Sequence, residues 1–344
     1  MTEEPVNVLI GSMLEAECIE QIRAVDPRLH VRYEPDLLPV PRYPADHNGD
    51  RRELTTDELA RWRELLSSAD VMFDFDWMAP GEIPKNCPRL KWIQATSSGI
   101  GESVSRYQLT ESGITLTTAA GVHAIPLAEF ALAGALYFVK GLPALTDAKE
   151  KRHWQRYATQ LLAGRRVTVV GLGRVGRQVA QTFHVLGAEV TGVGRRDHDY
   201  GLEPETATLP ISELDGVLTA TDVLVLCCPL TAETYHLLDR RRLSLLPQRA
   251  VVVNIARGDV IEEEALIDSL VSGEIGGACL DVFSIEPLPD QSPLWQLSNV
   301  IVSPHSASTV DSENRLITDL FCRNLENWLA GRPLTNVFRA ERGY

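Results

Sequence analysis

The chain has 344 residues, 44% hydrophobic and 23% charged, with a formal net charge of −14. That length holds about two domains, each able to bury a core, and an acidic chain without a basic patch lacks the phosphate attraction that drives nucleic-acid binding. No apolar run reaches the roughly 18 residues of a membrane span, the start Met-Thr-Glu-Glu-Pro has no signal-peptide pattern, and Cys18, Cys87, Cys227, Cys228, Cys279 and Cys322 form no Cys-x-x-Cys pair, which suits a reduced, cytoplasmic protein without zinc or disulfides.

In chain order, the pattern predicts a strand over Val6 to Ile10, a helix over Glu15 to Val25 and a strand over Leu29 to Tyr33. The following segment, 34–52, carries Pro35, Pro39, Pro41 and Pro44 and reads as irregular: a lid, an arm to a partner subunit, or a mobile loop. A helix over Thr56 to Ser68, capped by Thr55 or Thr56, precedes strands over Asp70 to Phe75, Leu90 to Gln94 and Ile114 to Thr117. This alternation predicts a small parallel α/β domain. Ala124 to Val139 is a helix apolar on nearly every side, suited to burial between domains or subunits, or to a plain core position.

Val167 to Val170 reads as a buried strand, followed by Gly171, Gly173 and Gly176 in the spacing G-x-G-x-x-G, a helix over Val175 to Leu186 ended by Gly187, and a strand over Glu189 to Val193. A glycine loop between a strand and a helix is the context that marks a dinucleotide site. Gly171 permits the tight turn, Gly173 lets a pyrophosphate approach the backbone, and Gly176 lets the helix pack on the strand. The free N–H groups of the helix start then face the phosphates. About 20 residues on, an NAD site usually places an acid for the ribose 2′-OH. Gly194 stands there instead, followed by Arg195 and Arg196. Guanidinium groups suit a 2′-phosphate, so NADP(H) is preferred, with NAD(H) possible if Arg195 and Arg196 form a solvated turn and Asp197 takes the ribose.

Further strands follow over Val223 to Cys227, Ala250 to Asn254, Gly277 to Asp281 and Val300 to Val302, with Ser212 and Asp259 as candidate helix caps and a closing amphipathic helix over Asp311 to Leu329. In an open α/β sheet, ligands bind beyond the carboxyl ends of the strands. Arg195, Arg196, Pro229, Arg257, Asp281 and His305 all stand just past such ends. Singly, an Arg after a strand is more often a surface ion pair and a His after Pro a structural one. Together, beside a dinucleotide loop, they read as a site.

Three strings carry a resemblance: Val-Val-Val-Asn-Ile-Ala-Arg-Gly around Arg257, Leu-Asp-Val-Phe-Ser-Ile-Glu-Pro around Glu286, and Asn-Val-Ile-Val-Ser-Pro-His-Ser-Ala around His305. With Gly-Leu-Gly-Arg-Val-Gly they resemble the D-isomer-specific 2-hydroxyacid dehydrogenase family, most of all its glyoxylate/hydroxypyruvate reductase branch. Ser98-Gly99, Gly121, Glu129, Trp154, Pro229 and the tail from Asn324 fit as well.

The resemblance implies two similar doubly wound parallel-sheet domains. A Rossmann cofactor domain, 119–307, would be inserted into a smaller flavodoxin-like substrate domain, 1–118 and 308–344. It implies a homodimer through the cofactor domain, and a small 2-keto acid reduced to the D-2-hydroxy acid. His305 would be the general acid and base, Glu286 its orienting partner, and Arg257 the ligand of the substrate carboxylate and carbonyl. Ser98 and Gly99 would hold the carboxylate by backbone N–H groups. Arg174, Val175, Gly194, Cys228, Pro229, Ile255, Ala256 and Asp281 would line the cofactor, Asp281 at the nicotinamide end. Trp77 and Met78 could line the pocket or simply pack, and Trp295 reads as packing. Formate dehydrogenases of the superfamily carry Gln where Glu286 stands, which disfavours that activity. With nothing after Tyr344, a phosphoglycerate dehydrogenase bearing its usual appended domain is disfavoured too. The alternative from another class is a nucleotide-sensing regulator on the same fold.

Overall fold

The computed structural model describes residues 4–195, 200–202 and 206–340. The chain divides into two compact units, one of Met1–His123 with Thr309–Tyr344 and one of Ala124–Ser308. The second unit is thus inserted into the first. The crossing falls after His123 rather than at residue 118, because backbone bonds tie this stretch to the first unit: the Thr118 N–H donates to Asn336 O at 3.0 Å and the Ala119 N–H to Ser97 O at 3.0 Å.

In the first unit, β1 (Val6–Ile10), β2 (Leu29–Arg32), β3 (Val71–Phe73), β4 (Trp92–Gln94) and β5 (Thr115–Thr117) form a parallel sheet in the order β2-β1-β3-β4-β5. This is the flavodoxin-like doubly wound order. Alternate residues face opposite layers. Leu9, Met72 and Ile93 pack with Trp62, Leu65 and Leu66 of the helix Thr56–Ser68. Val8, Ile10, Phe73 and Trp92 pack with Ile19, Ile22, Ile317, Phe321 and Leu325 on the other face. The last three repeat at helical spacing along Glu313–Leu329, which is why the chain's final helix belongs to this sheet. Each such burial stabilises by about 1.5–3 kcal/mol.

Segment 34–52 has little regular structure, but it is held together. Asp46 is buried, pairs with the Arg42 guanidinium at 2.7 Å, and accepts from the Arg42, Asn48 and Gly49 amides at 3.1–3.2 Å. These bonds keep its carboxyl well below the usual range, the Arg42 bond contributing most. Thr55 caps the helix Thr56–Ser68 in a reciprocal box with Glu58.

In the second unit, β6 (Arg166–Val170), β7 (Glu189–Gly194), β8 (Ala207–Pro210), β9 (Val223–Leu226), β10 (Val251–Asn254), β11 (Gly277–Leu280) and β12 (Val300–Val302) run parallel in the order β12-β11-β10-β9-β6-β7-β8. This is the Rossmann order with one added strand, and its switch point lies between β6 and β9. The edge strand β8, with two exposed residues, carries too weak an apolar signal to be read from sequence. The helix Ala124–Val139 lies on this unit's own sheet through Ala128, Ala131 and Ala135. A Cβ at Gly134 would meet the Cys279 sulfur at 2.5 Å, so glycine there permits the close approach. Among the described residues, no single helix is long and apolar enough to cross a membrane.

Two expected caps are corrected. Ser212 lies inside a 3-10 turn, Ile211–Glu213, and Glu213 stands at the helix start. Asp259 likewise lies inside the turn Gly258–Val260, leaving Glu262 before the helix Glu263–Ser272. In both cases the chain inserts a 3-10 turn where a direct helix start was expected.

Candidate active site

The three glycines of the loop meet different surroundings. Gly171 has φ +94°, and a Cβ there would meet the Cys228 backbone N at 2.5 Å. A Cβ at Gly176 would meet Gly171 O at 1.8 Å, so this glycine seats the helix Arg174–Val185 on the turn. A Cβ at Gly173 would meet nothing within 4 Å. Its bare backbone faces open space at the start of a helix with no side-chain cap. That is a cradle fitted to a pyrophosphate. Arg174 is exposed and Val175 half-buried beside it.

Gly194 ends β7, and a Cβ there would meet the Tyr200 hydroxyl at 2.6 Å. The same hydroxyl accepts the Arg195 N–H at 2.7 Å. Any side chain at residue 194 would therefore require the Tyr200 ring to shift. The Arg195 side chain beyond it is exposed, while Arg196 and Asp197 lie outside the described residues. Tyr200 had no signal in the sequence, because its effect depends on folding back over a strand end six residues away.

Cys228 and Pro229 follow β9, and Ile255 and Ala256 are buried after β10. Burial pushes the Cys228 thiol up to about 11 and the Cys279 thiol up to about 12. They stay protonated near neutrality, so neither acts as a nucleophile. All six cysteines are free thiols. Among the described residues, no group of His, Cys, Asp or Glu is placed to hold a metal ion.

Arg257, Glu286 and His305 follow three adjacent strands, β10, β11 and β12, whose last residues Asn254, Leu280 and Val302 stand side by side. His305 Nδ1 lies 2.7 Å from Glu286 Oε2, and the other carboxylate oxygen accepts the Phe283 N–H at 3.0 Å. An ionised carboxylate only accepts, so Nδ1 carries the proton and Nε2 is the nitrogen left for a ligand. His305 has φ +53°, sparsely populated for a residue with a Cβ.

Asp281 sustains that conformation. Its Oδ1 accepts from the Ser303 hydroxyl at 2.6 Å and from the Ser306 and Ala307 amides at 2.8 and 2.9 Å. Its backbone O accepts the His305 N–H at 2.9 Å. Asp281, expected at the nicotinamide end, thus has its Oδ1 engaged in fixing the loop that carries His305.

Arg257 is held by two groups that sequence reasoning missed. Asn254 is buried; its amide donates to Arg257 O at 3.0 Å and its oxygen accepts the Ala256 N–H at 3.1 Å. A Cβ at Gly258 would meet Phe283 C at 1.9 Å, so this glycine lets the Arg257 turn press against the loop leading to Glu286. The Arg257 side chain is exposed and donates to Ala256 O at 2.7 Å. Among the described residues no carboxylate pairs with it.

In the first unit, Ser98 and Gly99 follow β4, half-buried and exposed respectively. Among the described residues their amides donate to no protein acceptor. Trp77 packs on Trp62 with ring centroids 6.3 Å apart, and the Met78 N–H donates to the buried Asp76. Trp295 donates to Pro289 O at 3.0 Å.

Residues 132–307 match the family model described as the D-isomer specific 2-hydroxyacid dehydrogenase, NAD binding domain. The chain belongs to this family. The dehydrogenase is 31% identical to a glyoxylate/hydroxypyruvate reductase of Arabidopsis thaliana, over 74% of this chain and 77% of that one. It is 28% identical to a D-3-phosphoglycerate dehydrogenase of Methanocaldococcus jannaschii, over 83% of this chain and 54% of that one. Among solved structures, a D-isomer specific 2-hydroxyacid dehydrogenase of Xanthobacter autotrophicus, in complex with NADPH and MES, superposes with a TM-score of 0.78 at 28% identity, covering 99% of this chain and 100% of that one.

The family's nicotinamide dinucleotide therefore has a fitted cradle in this dehydrogenase, and the three glycines separate binding from folding. Gly173→Ala should keep the melting temperature near that of the parent yet weaken dinucleotide binding at least tenfold in a fluorescence titration. Gly176→Ala should lower the melting temperature by several degrees. The reverse pattern would remove Gly173 from the cradle.

Proposed function

We propose that this dehydrogenase is an NADPH-preferring reductase of small 2-keto acids, of the glyoxylate and hydroxypyruvate kind, that yields D-2-hydroxy acids. The observation that carries the reading is the 2.7 Å contact of His305 with Glu286, with Arg257, which has no carboxylate partner among the described residues, following the strand next to that of Glu286. When bound, the reduced nicotinamide supplies the hydride. Arg257 binds the substrate carboxylate and draws charge onto the carbonyl oxygen, so the carbonyl carbon becomes the electrophile. His305 gives its Nε2 proton to that oxygen as the new C–H bond forms, and takes it back in the oxidative direction. Glu286 holds the ring with Nδ1 protonated throughout, so only Nε2 exchanges a proton with substrate. The free amides of Ser98 and Gly99 hold the carboxylate.

The preference for NADP(H) over NAD(H) rests on the end of β7. Glycine stands at position 194, packed under the Tyr200 ring where an acid would have to displace it, and an exposed Arg195 follows. A 2′-phosphate would meet a guanidinium there rather than a carboxylate. Homodimer formation through the second unit is supported by its uncovered apolar groups, Trp154 at 97% and Leu161 at 69% exposure, with Ile125 and Tyr157 also exposed. Six free thiols suit a reducing, cytoplasmic setting.

His305→Ala should lower kcat by about 10²–10⁴-fold while leaving the dissociation constant for NADPH within twofold; turnover at the parent rate would remove His305 from the mechanism. Arg195→Ala should raise KM for NADPH by about 10–100-fold, the loss of one charged hydrogen bond, and leave KM for NADH nearly unchanged. Equal effects on both would sink the phosphate clamp. Sedimentation equilibrium should find a dimer, and Trp154→Asp should shift it toward monomer; a monomeric parent would end that part of the proposal.

A further inference from the structure

The first unit holds a second imidazole–carboxylate pair. His123 Nε2 lies 3.0 Å from Glu313 Oε1, and His123 Nδ1 lies 3.0 Å from the Ser98 hydroxyl. Glu313 is 6% exposed, and its other oxygen, Oε2, is buried with no hydrogen-bond partner among the described residues. It is the first residue of the helix Glu313–Leu329, where the helix dipole favours negative charge. A second imidazole, His47, stands 4.0 Å from the same Oε1 and is anchored at Nδ1 by Ser12 Oγ at 2.7 Å. His47 comes from the Pro-rich segment, next to the buried Asp46 that fixes the loop. The segment thus supplies a wall of this polar cluster.

We propose that Ser98 is a specificity residue for 2-keto acids bearing a hydroxyl group on C3, and that His123 and Glu313 are its positioning residues. This rests on the proposed reading that Ser98 faces the substrate. An ionised Glu313 can only accept, so it takes the proton of His123 Nε2. His123 Nδ1 is then an acceptor and receives the single proton of the Ser98 hydroxyl. Ser98 Oγ is left with lone pairs alone to offer a ligand. A substrate carboxylate would be repelled by them, and the neighbouring backbone N–H groups serve that carboxylate instead. The group that fits Oγ is a donor, and on a small 2-keto acid the hydroxyl at C3 is the donor within reach of a residue that already borders the carboxylate. A site built to bond a hydroxyl rejects the analogue lacking it, because its own polar atom is then left unpaired.

The test compares hydroxypyruvate with pyruvate, which lacks only the C3 hydroxyl, using the full chain and NADPH. The parent should favour hydroxypyruvate in kcat/KM by at least about tenfold. His123→Phe, which keeps a ring but removes the acceptor, should bring the ratio near unity by raising KM for hydroxypyruvate rather than by lowering kcat. A parent that prefers pyruvate, or a folded His123→Phe with an unchanged ratio, overturns the proposal. Imidazole ¹⁵N spectra of the parent, assigned with that variant, should show His123 protonated at Nε2 and bare at Nδ1; the opposite tautomer or an imidazolium also overturns it. If the parent reduces no keto acid at all, the proposed function fails, and the ¹⁵N spectra alone then decide whether Ser98 is an acceptor.

Discussion

Asn254 on β10 stands beside Leu280 on β11, and Leu280 beside Val302 on β12. Parallel strands are about 4.8 Å apart, so the three chain segments that leave these residues begin within roughly 10 Å of one another. Both faces of the sheet are buried. A slip of one residue in any strand would turn Val252, Leu280 or their neighbours into the wrong layer. Hydrophobic alternation therefore fixes the starting points of the loops bearing Arg257, Glu286 and His305. What the loops add is fine placement. Asn254 clamps one, Gly258 lets it touch the next, and Asp281 holds the third in a conformation that a lone histidine would avoid.

Strands whose residues alternate cleanly between two apolar layers were legible in the sequence, among them Val6–Ile10 and Val300–Val302, as was the helix Ala124–Val139. The three glycines could also be read from their spacing between a strand and a helix, although only Gly171 and Gly176 are sterically required by their own chain. Less was visible where the signal lies in a partner far along the chain. Tyr200 shapes the end of β7, and Glu313 reaches Ser98 through His123 across some two hundred residues. A short helix start hidden behind a 3-10 turn defeats cap assignment for a related reason, since the backbone finds a local bond before a side chain is needed. Asp281 shows how a strand-end position can be legible while the bonds of its side chain are not. Its place at a strand end was plain, but its Oδ1 turned inward to three donors of its own chain.

The formal charge of −14 contrasts with ligands that are themselves anions, and the placement of the arginines bears on this. Charges more than about 8 Å apart are largely screened at physiological salt, so a ligand at a strand end responds to its near neighbours and hardly to the whole surface. In the second unit Arg174, Arg195 and Arg257 all follow the carboxyl ends of strands β6, β7 and β10 and are exposed. In the first unit the contribution is of another kind. Among the described residues the Ser98 and Gly99 backbone N–H groups donate to no protein acceptor, and neutral donors of this kind carry no full charge. The acidic surface elsewhere favours solubility through mutual repulsion.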